Sequence, residues 1–189
     1  MRKLLIGAAL AAFAASSANA ATLVIDLDDV YSYGLEGDPA NVLWSFDIGA
    51  NSHVTGIAYD VTLTAFSPSW LSELVVSFLG SSFNGVYLTP GFADSFAGTE
   101  SYADSAYLPD FGLDFTVDGD GLLWLEFFED FNDSSVNPDG VWNGTLTITY
   151  EPTSIPGGVP EPATWGLMIA GFGLVGIAAR RRKVGQVSA

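Results

Sequence analysis

The sequence contains no cysteine. Disulfides and thiolate metal sites are therefore excluded, and packing, or a bound metal, must hold the fold together. There is one histidine, His53, so zinc catalysis built on two or three imidazoles is excluded too. A Ser-His-Asp triad would have to run through that residue, and no nucleophile elbow accompanies it. A lone histidine beside a strand reads as structural. The scarcest feature is positive charge. All six basic residues lie at the two ends, Arg2, Lys3, Arg180, Arg181, Arg182 and Lys183, while the 22 acids all fall between Ala21 and Ala179. Nucleic acid is excluded as a partner of that stretch, because counterion release needs Lys and Arg. Phosphoryl transfer lacks its cationic clamp, and anionic membrane surfaces repel the same face. Divalent cations and neutral sugars remain compatible with it.

What is present begins with a core. The chain is 49% hydrophobic and 13% aromatic over 189 residues, which fits one domain plus processing segments and excludes wholesale disorder. At the N-terminus, Arg2 and Lys3 precede the apolar run Leu4–Ala15, and Ala18-Asn19-Ala20 supplies a small-residue cleavage site. This is the pattern of a signal peptide over residues 1–20, engaging the secretion translocon. At the other end, Ala163 to Ala179 run 17 residues without a charge, followed at once by Arg180-Arg181-Arg182-Lys183. As a helix that run covers about 25 Å, slightly short of a hydrocarbon core. The positive-inside rule keeps the basic cluster in the cytoplasm and the body outside. The competing reading is a plain anchor that is never cut.

The order Pro160-Glu161-Pro162, Trp165, a Gly-rich apolar helix and then Arg180, Arg181 and Arg182 resembles the PEP-CTERM sorting signal of Gram-negative bacteria. Gly166 departs from the Ala usual in the matching subgroup. The resemblance implies recognition by an exosortase, an integral-membrane processing enzyme, and an association with exopolysaccharide and biofilm matrix. It covers about 25 residues. Two prolines hold the backbone extended, outside any helix or sheet, which suits a processing groove, and Trp165 suits the headgroup interface.

Between the ends the dominant period is two. Leu23, Ile25 and Leu27 alternate with polar residues, as do Ile57 to Ala65, Phe111 to Val117 and Thr145 to Tyr150. Further strands are predicted at Val42–Ile48, Leu71–Leu79, Val86–Leu88 and Leu122–Glu129, separated by Gly/Asp/Asn/Pro turns. Seven to nine such strands predict an all-β, antiparallel β-sandwich of jelly-roll type. The predicted organisation is a signal peptide at 1–20, an acidic sandwich at 21–150, a Pro/Gly linker at 151–159, the sorting signal with its transmembrane helix at 160–183, and a cytoplasmic tail at 184–189. The stretch Asp139 to Ile148 resembles the closing strand of P-domain-like and galactose-binding-like sandwiches.

The acids suggest chemistry only in outline. Ca2+ takes six to eight oxygens, and Asp118, Asp120, Asp130 and Asp133 at the two ends of the strand Leu122–Glu129 are its candidate ligands. The alternative is a hairpin turn at Asp118–Gly121 that uses the same residues for backbone reasons. Asp26, Asp28 and Asp29 form either a second ligand group or a strand end. Asp114, Glu126 and Glu129 would be the carboxylates of a glycosidase, against a solvated outer face. Trp44, Trp70, Trp124 and Trp142 are candidates for sugar stacking, against burial in the core. Asn143 reads as a turn residue. The expected function is a non-catalytic exported protein, inner-membrane-anchored and facing the periplasm before reaching the cell surface or exopolysaccharide matrix, with no obligatory cofactor. The alternatives are a carbohydrate-binding module, calcium-dependent or not, and a secreted glycoside-active enzyme.

Overall fold

The computed structural model describes residues 20–132 and 138–153, all within the first of two units, Met1–Thr153 and Ser154–Ala189. Ala18, Asp133, and the sorting residues Pro160 to Trp165 and Arg180 to Arg182 lie outside the described residues, as do residues 1–19 of the expected signal peptide and the expected transmembrane helix. Ala20 is described, exposed and next to the first strand. Among the described residues no helix is long and apolar enough to cross a membrane.

The body is all-β. The strands are β1 (Ala21–Ser32), β2 (Val42–Asp47), β3 (His53–Ala65), β4 (Leu74–Gly80), β5 (Gly85–Leu88), β6 (Gly98–Tyr107), β7 (Phe115–Thr116), β8 (Leu122–Glu129) and β9 (Gly140–Glu151). They form two antiparallel sheets, ordered β1-β9-β3-β6 with β7 also on β3, and β2-β8-β4-β5. With the two-residue β7 set aside, the remaining eight strands read 1-8-3-6 and 2-7-4-5, the double-sheet order of a jelly roll. Alternation explains the layers. Ile25, Leu27, Val61, Leu63, Leu146 and Ile148 point inward from the first sheet, and Val76, Phe78, Leu123, Leu125 and Phe127 from the second. Aromatic rings tie the layers together: Phe127 packs edge-on against Trp44 at 5.3 Å and against Trp142 at 5.5 Å. Where β9 passes β3 the backbones come so close that a Cβ on Gly144 would lie 2.2 Å from the Asp60 carbonyl, and its φ of 122° suits glycine alone.

Four local expectations are corrected. The alternating stretch Phe111–Val117 is not one strand. Leu108–Phe111 forms a 3-10 turn closed by Gly112 in the left-handed region, and only Phe115–Thr116 pairs, with β3. The turn Asp118–Gly121 is consequently no hairpin, since β7 and β8 belong to different sheets. Asp28 and Asp29 do not mark a strand end. They occupy a bulge inside β1, where Asp29 has φ 49° and exchanges hydrogen bonds with the Asn143 side chain on β9. Asn143 is therefore a strand residue. The unforeseen strand is β6, an edge carrying Glu100 and Asp104, charges of the kind that discourage pairing with another chain.

Candidate functional site

The outer face of the four-stranded sheet carries a groove of about 600 Å³. Its floor follows from strand register. Leu43, Glu126, Ser77 and Tyr87 lie side by side across β2, β8, β4 and β5, and Ser45, Trp124, Leu79 and Gly85 make the next row. These positions alternate with the inward Leu123, Leu125 and Phe127, so burying the core face sets the groove face outward. The residues β1–β2 and β4–β5 connections form the rims.

Each polar group of the groove is held by another. Glu126 Oε1 accepts hydrogen bonds from the Gly37 amide at 2.7 Å and Asn41 Nδ2 at 2.8 Å. The same Asn41 accepts from the Tyr33 and Gly34 amides, pinning the first rim. Tyr87 donates its hydroxyl to Glu36 at 3.0 Å. Burial, that hydrogen bond, and the charges of Glu36 and Glu126 together raise the Tyr87 pKa above its ordinary value. The indole of Trp124 donates to Ser81 Oγ at 3.1 Å, and Ser81 donates to Asp120 at 2.6 Å.

The second rim is the turn Gly80–Asn84. Asp118 accepts from the Ser82 amide at 2.7 Å and from its hydroxyl at 2.5 Å, while Asn84 Nδ2 donates to the Thr116 carbonyl. At its tip Phe83 is 83% exposed and has φ 63°. A large side chain in the left-handed region is sterically unfavourable, and this one gains no core contact in return.

Asp118 and Asp120 are thus tied to the second rim by hydrogen bonds from Ser82 and Ser81. They bracket the groove rim, and the hydrogen bond from Ser81, then the Leu122 amide, hold the Asp120 pKa below the usual carboxylate value. Asp130 follows the far end of β8, roughly 25 Å away for eight residues of strand, so it cannot share an ion with them. Among the described residues no three His, Asp or Glu side chains are placed to hold a metal. Asp118→Ala is expected to cost about 1–2 kcal/mol through the lost charge-assisted bonds. Differential scanning of wild-type protein is expected to give one melting temperature in excess Ca2+ and in excess chelator; a Ca2+-dependent rise would restore the ligand reading.

The three carboxylates considered for glycoside chemistry are not together. Asp114 precedes β7 and lies 2.8 Å from His53 Nε2. Glu126 lines the groove. Glu129 corrects the expectation of a solvated face: its exposure is 0%. It meets Ser32 Oγ and, at 3.3 Å, Ser69 Oγ. Asp139 is also buried. Burial foremost, with the charges of Asp139 and Glu73, outweighs the two serine hydrogen bonds and pushes the Glu129 pKa up to about 8. Of the described tryptophans, Trp142 is buried, Trp44 packs on the core, Trp70 is exposed at the opposite end of β4 from the groove rim, and Trp124 alone lies in the groove. Glu36, Phe83 and Tyr87 escaped sequence reading. The period of β4 and β5 around the Asn84-Gly85 turn would have placed Tyr87 beside Ser77, but nothing local places Glu36.

Residues 158–183 match the PEP-CTERM protein-sorting motif. That motif marks an exported, membrane-anchored precursor processed by exosortase, an enzyme of the membrane. No curated protein matches the chain. Among solved structures it is similar to the infectious bursal disease virus VP2 subviral particle, at 13% identity and a TM-score of 0.37, covering 85% of this chain and 39% of that one. It is also similar to the Tobacco streak virus coat protein dimer, at 11% identity and a TM-score of 0.30, covering 76% and 92%. A third similarity is to a family two carbohydrate esterase from Cellvibrio japonicus, at 14% identity and 0.24, covering 72% and 37%. The chain thus spans about two fifths of the length of the first of these.

Proposed function

We propose that this chain is an exported, exosortase-processed protein whose acidic sandwich faces the periplasm while anchored and then acts, without catalysis, at the cell surface or in the exopolysaccharide matrix. The observation that carries this is the sorting motif at residues 158–183, behind a body free of Lys and Arg. Pro160→Ala combined with Pro162→Ala is expected to abolish processing and leave the melting temperature of the sandwich unchanged. Intact-mass analysis of released protein is the check. A wild-type C-terminus close to residues 160–165 agrees with the reading, and released chains that retain Arg180 to Lys183 contradict it.

A second reading is favoured by the groove. Trp124 and Tyr87 beside Glu36 and Glu126 combine aromatic faces with hydrogen-bond acceptors, the pairing by which β-sandwich modules hold sugar rings. On this reading the displayed domain is a carbohydrate-binding module whose specificity sits on β4, β5 and β8. In it Asp118 and Asp120 contribute by fixing Ser82 and Ser81. Sugar binding that is indifferent to Trp124→Ala would remove it.

A further inference from the structure

We infer that the groove selects a saccharide bearing a protonated amine, a hexosamine unit, over neutral and acidic sugars. This rests on the carbohydrate reading and narrows it. Glu36 accepts the Tyr87 hydroxyl and Glu126 accepts the amide of the adjoining Gly37, so the two carboxylates border the same stretch of groove, and no Lys or Arg exists between Ala21 and Ala179 to neutralise them. Both hydrogen bonds to Glu126 fall on Oε1, so among the described residues Oε2 is not engaged. The walls around this pair of charges are apolar and aromatic: Leu79, Phe83, Tyr87 and Trp124. A cation seated between ring faces and carboxylates gains from both, while a uronate meets only repulsion.

A free ammonium ion or a flexible lysine chain would use the charges but leave the ring faces unfilled. An amino sugar uses both, its ring stacking on Trp124 and its amine directed to Glu36 and Glu126. Preorganisation favours this: the indole is fixed through Ser81 and Asp120, and Tyr87 through Glu36, so little ordering remains at binding. Phe83 supports a ligand role independently. Holding an exposed phenyl ring at φ 63° is unfavourable for the fold, and strained positions of this kind gather at ligand clamps.

The test is calorimetric titration of the full chain in detergent with four tetramers: glucosamine, N-acetylglucosamine, cellotetraose and tetralysine. Glucosamine tetramer is expected to bind at least ~10-fold more tightly than its acetylated or neutral counterparts, as one lost cation contact implies. Trp124→Ala, and Glu36→Gln with Glu126→Gln, are each expected to weaken it by about tenfold or more. Phe83→Gly is expected to weaken binding while raising the melting temperature, because it relieves the backbone; that variant keeps the test open should Trp124→Ala unfold. If acetylated or neutral tetramers bind equally well and depend on Trp124, the amine selectivity falls and the carbohydrate reading stands. If no sugar shows Trp124-dependent binding, both fall. Tetralysine binding as tight as glucosamine tetramer, and unaffected by Trp124→Ala, reduces the effect to bulk attraction by an acidic body and overturns the inference.

Discussion

Glu129→Gln is expected to make the sandwich more stable at neutral and alkaline pH and to flatten its pH dependence. In the folded protein the Glu129 pKa is raised from 4.5 to about 8, first by burial and then by Asp139 and Glu73. The folded state therefore holds the proton more tightly than the unfolded chain does. Its contribution to stability is fully present below pH 4.5 and is lost as pH rises through about 8, at roughly 1.4 kcal/mol per pH unit between those values. Glutamine keeps the shape and can meet Ser32 and Ser69 without ever becoming charged. Variant and wild type should thus be nearly equal in stability near pH 4.5 and diverge to a difference on the order of a few kcal/mol by pH 8. Urea unfolding of both proteins across that range measures it. A gap that stays constant with pH would mean that Glu129 does not titrate in this window.

Phe127→Ala is expected to cost about 3–5 kcal/mol, the range for removing a large buried aromatic side chain. The ring has no exposure and touches Trp44 from its own sheet and Trp142 from the other, at 5.3 and 5.5 Å. Its removal opens a cavity between layers that neither tryptophan can fill without leaving its own contacts. Phe127→Leu keeps most of the volume and should cost about 1–1.5 kcal/mol. A net stability of 5–15 kcal/mol is usual for a domain, so the alanine variant stands near the threshold of unfolding. Denaturant titration followed by tryptophan fluorescence reads the difference, and equal costs for Ala and Leu would show that this ring does not join the two layers.

Much of this architecture was legible residue by residue, for a stated reason. β8 was bounded at Leu122 and Glu129 because alternating apolar residues lie between clear turn signals. β3 and β9 show the same alternation over 57–65 and 145–150, short of their full spans of His53–Ala65 and Gly140–Glu151. The burial of Glu129 was legible too: the phase that turns Leu123, Leu125 and Phe127 inward also turns residue 129 inward, whatever its charge. Other features were hidden by physics. β6 is an edge strand with its residues largely exposed, so no hydrophobic alternation is required of it. The stretch 111–117 has the alternation but contains Gly112 in the left-handed region, and a backbone reversal outranks side-chain pattern. The groove was the least visible, because its two rows are assembled across four strands by register, from residues as distant in sequence as Leu43 and Glu126. Charge distribution, by contrast, was complete in the sequence, and it is what narrows the ligand proposed for the groove.

The position of β9 has a consequence for how the body comes to exist. It is the last strand among the described residues, yet it lies inside its sheet between β1 and β3, pairing Ala21 with Tyr150. A polypeptide that emerges N-terminus first delivers its closing piece last, and until then β1 has no partner. Pairings so distant in sequence form slowly. In a chain threading through a pore, β1 and the facing edge of β3 would therefore stay unpaired until Glu151 had cleared the exit, although the β2-β8-β4-β5 sheet needs no part of β9.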